Sequence, residues 1–190
     1  MSNLWSPDIY QKAWTFSTRK HAGQTYGGAC EGERIPYINH IASVAMEVAF
    51  AAAMTHEFLD ADLAIQCALL HDTIEDTDVT YEELRELFGG AVAEGVMALS
   101  KNQSLPTKQS QMEDSIARIK LQPKEVWMVK LADRITNLYH PPFYWNDEKI
   151  LSYQQEAQYI LDQLGESNAA LANRLMQKIE EYPAFLRGIV

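Results

Sequence analysis

Apolar residues recur at helical spacing along nearly the whole chain, and alternating β-branched runs are almost absent, which predicts an all-α fold. Ser6-Pro7 reads as an N-cap followed by proline at the first helical position, opening a helix that carries Ile9, Ala13, Trp14 and Phe16 towards Arg19-Lys20-His21. The Gly- and charge-rich stretch from Gly23 to Arg34 reads as a loop. A second helix is expected from about Ile38 to Met54, and Asp60 caps a third whose stripe of Leu63, Ala64, Cys67, Ala68 and Leu70 ends near His71-Asp72. Thr80-Tyr81-Glu82-Glu83 fits a capping box, with Leu84, Leu87 and Phe88 on the buried side and Gly89-Gly90 as the stop. Later helices are expected over Ala91 to Leu99, Lys108 to Leu121, Pro123 to about Tyr139, Asp147 to Leu164 and Asn168 to Glu181.

Composition narrows what such a bundle does. With 190 residues, 47% hydrophobic and 22% charged, the chain reads as one globular domain over residues 1–190. Twenty-six acidic residues against sixteen basic ones leave a net charge of −10, which argues against nucleic acid as a partner, because duplex binding needs a basic face. Any phosphate site must therefore be local. No stretch reaches the roughly 18 apolar residues of a membrane span, and no basic leader precedes an apolar run, so a cytoplasmic protein without membrane contact is expected. Cys30 and Cys67 have no metal-pair or disulfide spacing and read as two reduced thiols.

The chemistry concentrates in His40, the adjacent His71-Asp72, and Asp133. Two imidazoles and two carboxylates suit one divalent transition ion, with Mn, Fe, Co, Ni and Zn all compatible. By itself the His71-Asp72 dipeptide is as well read as a helix end, His71 capping one helix and Asp72 starting the next. The acidic pair Glu75-Asp76, one to two turns downstream, shifts that reading: a bound ion acidifies water, and a neighbouring carboxylate positions that water or moves its proton. His21 reads as a helix-end residue or as support behind the site, and His56 as surface.

Arg19-Lys20-His21, Pro36-Tyr37-Ile38-Asn39-His40, Ala68 to Thr77 and Lys130 to Leu138 occur in the same order as in the HD hydrolase domains of Rel/SpoT proteins. The chain resembles a stand-alone small alarmone hydrolase of that family over about residues 8 to 182, near the metazoan SpoT-homologue type in length. The resemblance implies a compact multi-helix HD fold and Mn²⁺ held by His40, His71, Asp72 and Asp133, with Glu75 and Asp76 serving the attacking water and the departing group. It implies removal of the 3′-pyrophosphate from guanosine tetra- or pentaphosphate, a small-molecule nucleotide substrate. Arg19 and Lys20 would lie at the base, and Tyr37 and Asn137 would line the cavity. Lys149 and Tyr153 match positions that similar hydrolases place near the phosphates, although a solvated lysine and a core tyrosine fit them equally.

Two departures stand out: Tyr139-His140, where relatives usually carry an arginine, and Ser100-Lys101-Asn102-Gln103, where they carry acidic residues and a lysine. These leave two alternatives open. One is a related phosphohydrolase acting on another phosphorylated nucleotide, an adenosine alarmone or an NADPH-like substrate; the other is a non-catalytic alarmone sensor.

Overall fold

The computed structural model describes residues 5–55 and 59–188. Its helices in chain order are α1 (Pro7–Lys20), α2 (Ile38–Met54), α3 (Ala61–Leu70), α4 (Thr73–Asp76), α5 (Tyr81–Phe88), α6 (Gly90–Leu99), α7 (Lys108–Ile119), α8 (Lys124–Asn137), α9 (Asp147–Leu164) and α10 (Ala169–Glu181). Short 3₁₀ turns follow α9 and α10.

Asp60 and Thr80 cap their helices as expected, but Ser6 makes no side-chain cap bond to α1, and the Thr80 box is half made, with no return bond from Glu83 among the described residues. Asp60 Oδ1 accepts from Leu63 N at 3.0 Å, Thr80 Oγ1 from Glu83 N at 3.1 Å, and Asn146 and Asn168 cap α9 and α10. Gly89 ends α5 at φ +89°, a conformation that side-chain-bearing residues rarely adopt. A full capping box that the sequence reading did not single out opens α7, where Thr107 and Ser110 satisfy each other's backbone N–H.

Four further details depart from the sequence reading. The Gly23–Arg34 segment is not wholly a loop: β1 (Thr25–Gly27) pairs antiparallel with β2 (Arg34–Pro36), Tyr26 opposite Ile35, and Gly32 at φ +78° helps the chain reverse. Strands of three residues are too short to show a period of two. Leu87 is exposed rather than buried. The stretch after His71-Asp72 coils into the single turn α4. Helices α7 and α8 stop at Ile119 and Asn137, two residues short of the expected ends.

Helix α3 is apolar on nearly every side and lies at the centre, with Ala64, Ile65, Cys67, Ala68, Leu69 and Leu70 fully buried. Helices α1, α2, α6 and α8 pack around it, and α9 and α10 close over the far side of α8. The α2–α3 pair places the start of α2 beside the end of α3, and α8 crosses both. That junction gathers the chemistry-bearing residues.

One buried charge ties α2 to α10. Glu47 is 1% exposed and is clasped by both the Nε and an Nη of Arg174, with Tyr139 Oη donating at 3.3 Å. Removing one partner of a buried pair strands the other charge. Arg174→Met should cost about 3 kcal/mol, the lower end for such pairs because Tyr139 still donates. Urea unfolding checks this, and a loss below a few tenths of a kcal/mol would contradict it. Cys67 packs against Gly95 of α6, and burial pushes its thiol up to about 12, with Asp60 and Glu125 adding to the shift. Alkylation needs the thiolate. Iodoacetamide at pH 8 should therefore label the exposed Cys30 alone in the native protein, and Cys67 only after unfolding.

Candidate active site

His40 sits in the first turn of α2, His71 is the C-cap of α3, Asp72 precedes α4, and Asp133 lies on α8. The fold brings all four together. Donor atoms of His40, His71 and Asp72 lie within 4.8 Å of one another, and His40 Nε2 stands 3.4 Å from Asp133 Oδ1 and 3.7 Å from Asp72 Oδ2.

The hydrogen bonds behind the imidazoles fix which nitrogen faces this point. His71 Nδ1 lies 2.8 Å from Ala68 O, an acceptor, so Nδ1 carries the proton. Thr136 Oγ1 spends its own proton on Asp133 O at 2.8 Å, so the 3.3 Å contact with His40 Nδ1 is an N–H donated to the hydroxyl. Both Nε2 lone pairs therefore face the carboxylates. His71 Nε2 is buried without a hydrogen-bond partner among the described residues, 2.9 Å from Asp72 Oδ2 but out of hydrogen-bond alignment. An orphaned imidazole nitrogen beside acidic oxygens is what a ligand set for a divalent cation presents, and the carbonyl behind it is the usual orienting partner. The residues fit a metal.

Electrostatics point the same way. Burial presses the His71 pKa down, yet the charges of Asp72 and Asp133 push it up to about 9; the cluster draws positive charge to Nε2. Burial works against ionised Asp72 and Asp133 as well, but the histidines hold Asp72 low, and Lys130 and His40 hold Asp133 low.

Neighbours orient the carboxylates. Tyr37 Oη donates to Asp72 Oδ2 at 2.6 Å, and burial together with Asp72 raises the phenol's pKa far above its ordinary value, so it stays a donor. Asn137 Nδ2 donates to Asp133 Oδ1 at 2.6 Å, and Lys130 Nζ lies 3.0 Å from Oδ2. Glu75 accepts from Lys101. Asp76 has its carboxyl pKa raised, first by burial and then by the charges of Asp72 and Glu75.

These groups line a cavity of about 610 Å³ that also takes in Lys108, Arg134, Trp145, Lys149 and Tyr153. It adjoins a second hollow of about 660 Å³ bounded by Tyr26, Arg34, Tyr139, His140 and Tyr144 and sharing Tyr37, His40, Asn137, Trp145 and Tyr153. The first lobe mixes lysines and Arg134 with carboxylates, and the second is largely aromatic.

Of the substrate candidates, Tyr37, Asn137, Lys149 and Tyr153 line the cavity. Lys149 Nζ sits 5.3 Å over Trp145 and 5.5 Å over Tyr153, within 3.8 Å of Glu156. Arg19 and Lys20 line neither lobe. Lys20 pairs with Asp78 at 3.1 Å and Glu83 at 3.4 Å, and Arg19 borders a separate hollow beside Phe16 and Phe88. The last turn of α1 presents them to the α5 side. His21 caps α1, its Nδ1 2.7 Å from Gln24 Oε1 and its ring 5.2 Å from that of Tyr37. His56 lies outside the described residues.

The sequence reading missed Lys108, Lys130, Arg134 and Trp145. Lys130, Asp133, Arg134 and Asn137 fall at positions i, i+3, i+4 and i+7, one face of α8, and that spacing was the available signal. Arg134 is 4% exposed, its guanidinium 4.0 Å over the Tyr153 ring and its Nε and Nη1 without hydrogen-bond partners among the described residues.

Comparison with known proteins places the chain in a family. The HD domain family matches residues 13–175. "Guanosine-3′,5′-bis(diphosphate) 3′-pyrophosphohydrolase MESH1" of Danio rerio is 33% identical over 182 residues, covering 92% of this chain and 94% of that protein. The Homo sapiens protein of the same name is 31% identical over 172 residues, covering 86% and 89%. A solved structure described as "A metazoan ortholog of SpoT hydrolyzes ppGpp and plays a role in starvation responses" superposes with a TM-score of 0.79 at 26% identity, covering 98% of this chain and 99% of that one.

If the four residues form one ion site, adding Mn²⁺ or Zn²⁺ to chelator-treated protein should raise Tm. An ion at a hundred times its Kd stabilises the fold by about 2.7 kcal/mol. Asp72→Asn should abolish the shift, and a shift that survives would place the ion elsewhere.

Proposed function

The chain belongs to the HD domain family, and we propose that it is a metal-dependent hydrolase removing the 3′-pyrophosphate from guanosine tetra- or pentaphosphate, giving GDP or GTP. One observation carries the reading: the buried pair of Nε2 atoms facing Asp72 and Asp133 forms the floor of a cavity walled by Lys101, Lys108, Arg134 and Lys149 in a chain of net charge −10. The activity carried in the names of the relatives above supports the substrate class.

His40, His71, Asp72 and Asp133 would hold the ion, for which we propose Mn²⁺. Bound there, it would act as a Lewis acid on the phosphoryl group and lower the pKa of water. The protein's own groups do the rest. Tyr37 and Asn137 fix the orientation of Asp72 and Asp133. Asp76, its carboxyl pKa raised by burial and neighbouring charges, takes the proton of the attacking water as the bond between phosphorus and the ribose 3′ oxygen breaks. That proton then serves the departing oxygen. Arg134 and the lysines offset charge on the phosphoryl oxygens, and Trp145 and Tyr153 give the nucleoside an aromatic wall. The two free thiols suit the reducing cytoplasm, where we place the activity.

Purified protein loaded with Mn²⁺ should release pyrophosphate from guanosine tetraphosphate, with adenosine analogues and NADPH run in parallel. Asp76→Asn should keep the ion and lower kcat roughly 10²–10⁴-fold, the range for a general acid or base. Failure of the metal-loaded wild type to turn over the guanosine substrate would overturn the reading, and preferential turnover of another nucleotide would move the substrate assignment.

A further inference from the structure

Glu75 and Asp76 stand side by side at the cavity, but their surroundings differ. Glu75 has both oxygens engaged by one residue: Lys101 donates its backbone N–H to Oε2 at 2.9 Å and its Nζ to Oε1 at 2.8 Å. Both carboxylate oxygens are thereby occupied, and the group is held in a fixed orientation towards Lys101. Asp76 has no ion pair within 4.0 Å among the described residues.

The clasp is anchored from behind. Lys101 follows the last turn of α6, and Arg118 of α7 gathers that turn's carbonyls, donating Nη2 to Ser100 O at 2.7 Å and Nη1 to Ala98 O at 3.1 Å. Ser115 Oγ adds a bond to Ala98 O at 3.1 Å. The Lys101 backbone is thereby held in place, and with it the Glu75 carboxylate.

The Lys101 ammonium is the less committed end. Its side chain is 41% exposed, against 15% for Glu75, and it lines the cavity. An ammonium has three donors, and Glu75 takes one. Other cations here are engaged differently: Lys130 is spent on Asp133, while Arg134 and Lys149 both lean on Glu156. Asp72, Glu75, Asp76 and Asp133 would repel a polyphosphate at this wall, and Lys101 is the cation set among them.

We infer that Glu75 and Lys101 act as one unit, in which Glu75 is a positioning residue holding the Lys101 ammonium over the cavity as a ligand for the departing pyrophosphate, while Asp76 alone handles the proton. This rests on the hydrolase reading above. It makes Lys101 a source of phosphate affinity, and it takes Glu75 out of proton transfer.

The test compares Lys101→Met, Lys101→Arg, Glu75→Gln and the Lys101→Met/Glu75→Gln double variant, each with its ion content and Tm recorded. Inorganic pyrophosphate binding to the metal-loaded proteins is measured by calorimetry, and KM and kcat for guanosine tetraphosphate are measured separately. Lys101→Met and Glu75→Gln should each weaken pyrophosphate binding and raise KM roughly tenfold, the scale of one charge-assisted hydrogen bond, with kcat changed only a few-fold. The double variant should be no worse than either single one, and Lys101→Arg should restore most of the affinity. A kcat loss of two orders of magnitude or more in Glu75→Gln, with pyrophosphate affinity unchanged and the ion retained, would overturn the inference and return Glu75 to proton transfer. Additive losses in the double variant would overturn the single-unit claim. Should the wild type leave guanosine tetraphosphate intact, the substrate reading fails, and pyrophosphate affinity still decides the role of Lys101.

Discussion

Two imidazole lone pairs and two carboxylates buried around one point repel one another unless positive charge sits among them. That constraint organises this molecule. His71 Nε2 meets Asp72 at 2.9 Å without a hydrogen bond, and His40 Nε2 meets Asp133 at 3.4 Å, while each ring spends its other nitrogen on a fixed acceptor. A protein interior keeps such a cluster only if a cation or a proton balances it, because unpaired buried charge is strongly destabilising. The raised pKa of His71 is the proton answer to a demand that a divalent ion meets better.

The fold is arranged to hold the cluster still. Helix α3 is buried on nearly every side, so its C-terminal end cannot shift without disturbing α1, α2, α6 and α8, and His71 and Asp72 inherit that rigidity. Helix α8 presents Lys130, Asp133, Arg134 and Asn137 on one face, where Lys130 and Asn137 each take an oxygen of Asp133. Metal sites depend on such outer contacts to orient their ligands. Glu47 and Arg174 pin α10 to α2, the helix that carries His40.

The helices were readable because their signals are local: Ser6-Pro7, Asp60, Thr80 and Gly89 each act within a turn of themselves. That His40, His71, Asp72 and Asp133 converge was readable because histidine and aspartate beside buried apolar runs need a partner whatever the fold. The β1–β2 ribbon was not, since a Tyr26–Ile35 pair gives no periodicity over three residues. Arg19 and Lys20 show the opposite limit. Their order along the chain matched a family pattern, but the direction a side chain takes at the end of α1 depends on Asp78 and Glu83, residues some sixty positions away whose approach no local signal announces. The Lys101–Glu75 clasp was hidden for the same reason, because it depends on α7 holding the end of α6.

The charged groups lining the cavity, rather than the acidity of the chain as a whole, give it its selectivity. At physiological ionic strength a surface charge is screened within roughly 8 Å, so the excess acid elsewhere does little to a ligand inside the cleft, and the groups lining it decide what enters. Four of the cations there already lean on an acid: Lys101 on Glu75, Lys130 on Asp133, Arg134 and Lys149 on Glu156. Such pairs keep the empty cavity close to neutral and limit the cost of burying charge. They also set a threshold. A ligand with one negative charge gains little by competing with carboxylates already in place, whereas a pyrophosphate group offers several oxygens to several of these cations at once and can draw them off their partners together. Combined with the aromatic lobe formed by Tyr26, Tyr144 and Trp145 beside it, this favours a nucleoside bearing clustered phosphates over inorganic phosphate or a lone nucleoside.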